Sequence, residues 1–132
     1  IALMHEYGLS LGIAFQIVDD VLDYTGSAAS IGKPAGNDIR QGLVTLPLIF
    51  ALRNEHNGRI EQAQRLFQDE APTEEEVEAV VRWVNGTLAI DESLALARQY
   101  AERANALLTE LNDSEDRQVL IELIDFVLSR SR

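Results

Sequence analysis

Asp19, Asp20 and Asp23 stand in an otherwise apolar run, Phe15-Gln16-Ile17-Val18-Asp19-Asp20-Val21-Leu22-Asp23, and Gly32-Lys33-Pro34-Ala35-Gly36-Asn37-Asp38 starts nine residues beyond the last of them. At about 100° per residue, Gln16, Asp19, Asp20 and Asp23 share an arc of roughly 100° on one helix. No Lys or Arg occurs in residues 1 to 32, so the cluster has no cation from its own helix. Like charges three or four residues apart cost a helix about 0.2–0.5 kcal/mol per pair, which makes a bound cation the natural counter-charge. Oxygen donors without Cys or a nearby His favour a hard ion, Mg²⁺ ahead of Ca²⁺. Mg²⁺ takes few protein ligands and completes its shell with water and phosphate oxygens, so the missing ligand reads as a diphosphate. A solvated acidic face is the bland alternative. The flanking Phe15, Ile17, Val18, Val21 and Leu22 leave such a face narrow and favour a concave, partly apolar site.

The segment that follows brings the opposite charge. Gly26, Gly32, Gly36 and Gly42 are four of the eight glycines, and Lys33 is the first cation in the chain. This composition predicts a loop whose lysine reaches a phosphate. The glycine spacing matches neither the P-loop nor the dinucleotide fingerprint, so no nucleotide site follows from it.

These residues need helices to hold them. Ile1, Met4, Tyr7, Gly8, Leu11, Ala14, Phe15 and Val18 recur at helical spacing and predict a first helix from residue 1 to about 24. A loop over 25–36 precedes a second helix over 38–55, with Pro47 either near a kink or in a first turn after a break at Gly42. A turn at Asn57-Gly58 and a short helix over about 59–69 come next, ended by Ala71-Pro72. Thr73-Glu74-Glu75-Glu76 is a capping box that starts a helix burying Val77, Val80, Val81 and Val84. The glutamates there suit the helix dipole rather than a metal. After Asn85-Gly86 a long helix carries the stripe Leu94, Ala97, Ala101, Ala104, Leu108 and Leu111, whose alanines predict close helix approach. Asn112-Asp113-Ser114 caps a last helix that buries Leu120, Ile121, Ile124, Val127 and Leu128.

The chain has 132 residues, enough for one domain with a core, and a formal charge of −11. That charge argues against nucleic acid as a partner and against electrostatic docking on anionic lipid. Zero cysteines exclude disulfides, thiolate metal sites and a cysteine nucleophile. His5-Glu6 opens like a zinc helix, but position 9 is Leu, and His56 has no partner in sequence. Trp83 reads as a packing aromatic. Residues 1 to 18 are apolar but interrupted by His5, Glu6, Ser10 and Gln16, so neither a signal peptide nor a membrane span is expected.

Taken together, Phe15-Gln16-x-x-Asp19-Asp20-x-x-Asp23, Gly32-Lys33-Pro34-x-Gly36-x-Asp38 and Thr45-x-Pro47 resemble the trans-isoprenyl (polyprenyl) diphosphate synthase family around its second aspartate-rich motif. The run Gln41 to Leu48 is closer in wording to the medium- and long-chain bacterial polyprenyl synthases than to farnesyl synthases. The ending Phe126-Val127-Leu128-Ser129-Arg130 is similar to the family's closing segment. The resemblance implies an all-α fold, residues 1–132 forming a single region that is the C-terminal portion of an isoprenoid-synthase-type helical bundle. It implies a prenyltransferase in which Mg²⁺ joins the aspartates to an allylic diphosphate that ionises before isopentenyl diphosphate attacks. By position, Asp19 is the direct metal ligand and Asp20 and Asp23 are further or water-mediated ligands. Lys33 holds the allylic diphosphate, Gln16 positions the reacting allyl group, Phe15 lines the site, and Asp38 belongs to the substrate-binding set. The resemblance also implies a homodimer; the cysteine-free composition fits a cytoplasmic location, and transient membrane contact on product release is expected.

Two departures accompany it. Many relatives carry a second Lys where this chain has Leu43; Arg40 in its place, or no replacement at all, both stay open. The family's first aspartate-rich motif, the arginines after it and a preceding Lys-Thr pair have no counterpart here, and residue 1 already lies in helical pattern. The expectation is a C-terminal fragment that transfers little prenyl alone. The rival reading is a noncatalytic helical subunit or interaction module of a two-component synthase. Arg130 and Arg132 suit a helix C-terminus, with a role near the second substrate left open.

Overall fold

The computed structural model describes residues 1–26, 35–54, 59–68 and 71–130. Among them the chain forms seven helices and no strand: α1 (Ala2–Thr25), α2 (Asn37–Arg40), α3 (Leu46–Arg53), α4 (Arg59–Arg65), α5 (Glu74–Asn85), α6 (Ala89–Leu108) and α7 (Glu115–Ser129). The expected all-α class is what the structure has. Contacts group the chain into two units, residues 1–19 with 94–132, and residues 20–93, so the boundary falls inside α1.

In the first unit Tyr7, Leu11 and Ala14 of α1 share a core with Ala101, Ala104 and Leu108 of α6 and Ile124 and Val127 of α7. The alanine stripe of α6 lies at that core, as small residues at the contact between helices require. The Tyr7 hydroxyl donates to the Leu120 carbonyl at 2.8 Å, and burial raises the phenol above its usual pKa. Ser114 caps α7 by accepting from the Arg117 N–H at 3.1 Å, while the Arg117 Nε donates to the last carbonyl of α6, that of Leu108, at 3.0 Å. One arginine thereby fixes the α6–α7 connection.

In the second unit Tyr24, Ile39, Leu48, Ala51, Ala63, Leu66, Val77, Val80, Val84 and Ala89 form the core. The second helix expected over 38–55 is two helices. Gly42 has φ +78, its N–H reaches the Ile39 carbonyl at 2.9 Å, and the Leu43 N–H reaches the Asp38 carbonyl at 2.8 Å. These are the two hydrogen bonds of a Schellman stop. Pro47 then sits in the first turn of α3, where its missing N–H costs nothing. The turn expected at Asn57-Gly58 and the environment of His56 lie outside the described residues.

The capping box forms as read: the Glu76 N–H donates to Thr73 Oγ1 and the Thr73 N–H to Glu76 Oε1, both at 3.1 Å. The Thr73 N–H, and after it the Thr73 hydroxyl, hold the Glu76 carboxyl below its usual pKa, and hydrogen bonding to Arg40 does the same for Glu74. Depressed carboxylates stabilise the fold above their unfolded pKa, near 4.5, and lose that contribution as pH falls through their folded values. The expected result is that acid unfolding of the intact protein is shallower below pH about 4.5 in E74Q/E76Q than in wild type. Parallel curves of melting temperature against pH would contradict it.

Candidate functional site

The acidic end of α1 is built on helix periodicity. Ala14, Ile17, Val18, Val21 and Tyr24 are buried, which turns Gln16 and Asp19 outward and leaves Asp20 and Asp23 partly buried. Phe15 is 42% exposed, a large aromatic surface beside the carboxylates in sequence.

Each aspartate has its own surroundings. Asp19 is about half exposed, and its Oδ1 lies 3.2 Å from Nη2 of Arg130, the residue that ends α7. The Arg130 guanidinium stacks over Phe15 with its carbon 4.4 Å from the ring centroid. Part of the counter-charge that the sequence assigned to a bound cation is therefore supplied by the protein itself. Asp23 has a second task. Its Oδ1 accepts from the Asn37 N–H at 3.1 Å, its Oδ2 from the Asp38 N–H at 3.0 Å, and its backbone carbonyl from the Gly36 N–H at 2.9 Å. The cap of α2 thus comes from α1, because Gly36 at the N-cap position has no side chain to provide it. Each carboxylate oxygen keeps a lone pair after one such bond.

Gly36 explains the second glycine of the Gly-Lys-Pro-x-Gly-x-Asp segment. Its φ is +87, and a Cβ there would lie 2.6 Å from Val77 Cγ1 and 2.9 Å from Val81 Cγ2. The backbone passes hard against α5 in a conformation that L side chains avoid. Arg40 secures the same junction: its Nε and Nη2 donate to the two Glu74 oxygens at 2.7 and 2.8 Å, and its Nη1 to the Ala35 carbonyl at 2.9 Å. Arg40, one of the two options for the lysine absent at position 43, is thus occupied by a forked pair with α5. Leu43 itself is exposed. Lys33 lies outside the described residues.

The Tyr24 hydroxyl and Thr45 Oγ1 are both buried without a hydrogen bond of good geometry. Burial above all raises the Tyr24 pKa. The negative charges of Asp23, Asp38 and Asp20 add to the rise, and the nearby Thr45 hydroxyl opposes it. The phenol stays protonated.

Carboxylate oxygens at a half-exposed helix face suit a hard divalent ion. Among the described residues no three His, Cys, Asp or Glu side chains close around one point. Two concave regions, about 580 Å³ beside Glu122, Asp125, Phe126 and Ser129 and about 310 Å³ beside Phe50, Asn54, Thr87 and Leu88, include none of the three aspartates. His5 is exposed, and no described helix is long and apolar enough to cross a membrane.

A family model described as polyprenyl synthetase matches residues 1–84, which contain the whole aspartate and glycine-lysine segment. The chain belongs to this family. Solanesyl-diphosphate synthase 1, mitochondrial, of Oryza sativa subsp. japonica is 37% identical over 98% of the chain and 30% of its own length. Heptaprenyl diphosphate synthase component 2 of Geobacillus stearothermophilus is 38% identical over 96% of the chain and 38% of its own. Among solved structures, the polyprenyl synthase of Caulobacter crescentus CB15, complexed with calcium and isoprenyl diphosphate, superposes with a TM-score of 0.86 at 37% identity. That match covers 99% of this chain and 39% of the Caulobacter one. The chain thus spans 30–38% of the length of these two curated synthases.

Proposed function

We propose that the protein is a Mg²⁺-dependent polyprenyl diphosphate synthase that condenses an allylic diphosphate with isopentenyl diphosphate, and that this chain carries the second aspartate-rich part of its site. The observation that supports this most is the presentation of Asp19, Asp20 and Asp23 at one end of α1 in a chain of this family. Bound Mg²⁺ supplies neutralisation of the charge that develops on a departing diphosphate. Asp19 offers its exposed carboxylate as the direct ligand, and Asp20 and Asp23 act as further or water-mediated ligands. Asp23 also fixes α2, and with it the backbone around Asp38. Phe15 and Gln16 border the allyl group, and Lys33, by its place in the motif, holds the allylic diphosphate. The proposal includes a cytoplasmic homodimer that meets the membrane transiently to release product.

The test is incorporation of labelled isopentenyl diphosphate into longer prenyl diphosphates by the intact protein. Incorporation should require an allylic primer and stop reversibly on chelation, and the 132-residue chain alone should show little of it. Metal-independent incorporation, or none by the intact protein, contradicts the proposal. A second reading has its own support: a relative at 38% identity is named as component 2 of a heptaprenyl synthase. On that reading turnover emerges only when a second polypeptide is added.

A further inference from the structure

We infer that Arg130 is a positioning residue for the acidic end of α1: it is the resident counter-ion of Asp19, which a divalent cation must displace, and so it sets the cation affinity there. The inference rests on the reading of Asp19 as a cation ligand. Three observations carry it, all within the first unit. Phe15 and Asp19 are four residues apart on α1, on one side of the helix, and the single guanidinium of Arg130 engages both, at 4.4 Å from the ring centroid and 3.2 Å from the carboxylate. The pair is lopsided in exposure, with the Arg130 side chain 26% accessible and that of Asp19 53% accessible, so the carboxylate keeps an outward side while the arginine head is held in. Finally, Nη1 of Arg130 is buried with no hydrogen-bond partner among the described residues.

This is not how a stabilising ion pair is built. A guanidinium placed for stability uses its fork on both carboxylate oxygens, as Arg40 does with Glu74. Arg130 makes one contact to Asp19, and stacking on Phe15 holds its head independently of that contact. A divalent ion arriving at Asp19 from solvent takes the carboxylate from a weak partner. The guanidinium stays on the ring close by, where its charge opposes the ion. Arg130 thus keeps the free carboxylate in one orientation and lowers its grip on cations.

The sign of a binding change tests this. Mn²⁺ binding to the intact protein would be followed by water-proton relaxation and calorimetry for wild type, R130Q, R130K, D19N and the D19N/R130Q double variant. R130Q should bind Mn²⁺ about two- to fivefold more tightly, the range expected for removing one partly exposed pair. R130K, which keeps the charge but loses the planar stack that holds it beside Asp19, should fall between wild type and R130Q. The change should vanish in the D19N background. A merely structural role moves melting temperature and leaves affinity unchanged or weaker, so unchanged or weaker Mn²⁺ binding by a folded R130Q overturns the inference. If D19N binds Mn²⁺ as wild type does, the reading of Asp19 fails and takes the inference with it. If D19N loses binding while R130Q does not gain it, the inference alone fails.

Discussion

Gly36→Ala should destabilise the protein by about 2–5 kcal/mol, summing the penalty of a left-handed residue with that of an overfilled core. The two terms are separable here. Gly36 and Gly42 both have positive φ, +87 and +78, but a Cβ at Gly42 would meet open space whereas one at Gly36 would enter the side chains of Val77 and Val81. Gly42→Ala should therefore cost only the backbone part, about 1–2 kcal/mol. Urea unfolding of the two variants measures the difference. Equal losses would show that the approach of residues 35–37 to α5 is looser than described. The functional consequence follows from Asp23, whose carbonyl and carboxylate receive the N–H groups of Gly36, Asn37 and Asp38. Disturbing Gly36 disturbs the last aspartate of the cluster through those bonds.

Asp19→Ala and Asp23→Ala should fail in different ways, although both remove a carboxylate from the same cluster. In the intact protein, Asp19→Ala should lower turnover on the order of 100-fold or more, the scale for losing one electrostatic contact to developing charge, and should raise the Mg²⁺ needed for half activation. Its melting temperature should barely move, because a partly exposed pair such as Asp19–Arg130 contributes about 0–1 kcal/mol. Asp23→Ala strips the cap of α2 and should cost about 1–2 kcal/mol of stability as well as activity. Kinetics and thermal unfolding on both variants decide it. An Asp19→Ala protein with wild-type Mg²⁺ dependence would reject Asp19 as a ligand.

The same small ion-pair energy bears on how Asp19 can serve a metal while paired with arginine. A dipositive ion bound to carboxylate and diphosphate together has far more to gain than the single Arg130 contact has to lose. The pair is compatible with cation binding because it is weak.

What the sequence revealed follows the range of the interactions. The start of α5 was legible because a capping box is complete within four residues, and Thr73 and Glu76 make both of its bonds. The stripes of α5 and α6 were legible because 3.6-residue periodicity is local. The break after α2 was only half legible: the sequence allowed a kink near Pro47 or a break at Gly42 with Pro47 in the next first turn, and the Schellman bonds from Gly42 and Leu43 decide for the latter. The roles of Gly36, Asp23 and Arg40 were hidden because their partners are on other helices, Val77 and Glu74 of α5 among them. Arg130 reads in the sequence as a helix-end charge, with a role near the second substrate left open, and not as a partner of Asp19. Its partner Asp19 is 111 residues away, and no spacing rule reaches that far. An acidic cluster without a local cation signals that a counter-charge exists, but a distant arginine answers that signal as well as a metal does.

A divalent ion that joins the α1 carboxylates to a diphosphate must couple the two binding events reciprocally. The decisive measurement is calorimetric titration of the intact protein with an unreactive allylic diphosphate analogue, with and without Mg²⁺, in wild type and Asp19→Ala. Mg²⁺ should tighten the analogue at least tenfold in wild type, about 1.4 kcal/mol of coupling, and Asp19→Ala should lose most of this. Analogue binding that ignores Mg²⁺, or coupling that survives intact in Asp19→Ala, would contradict it.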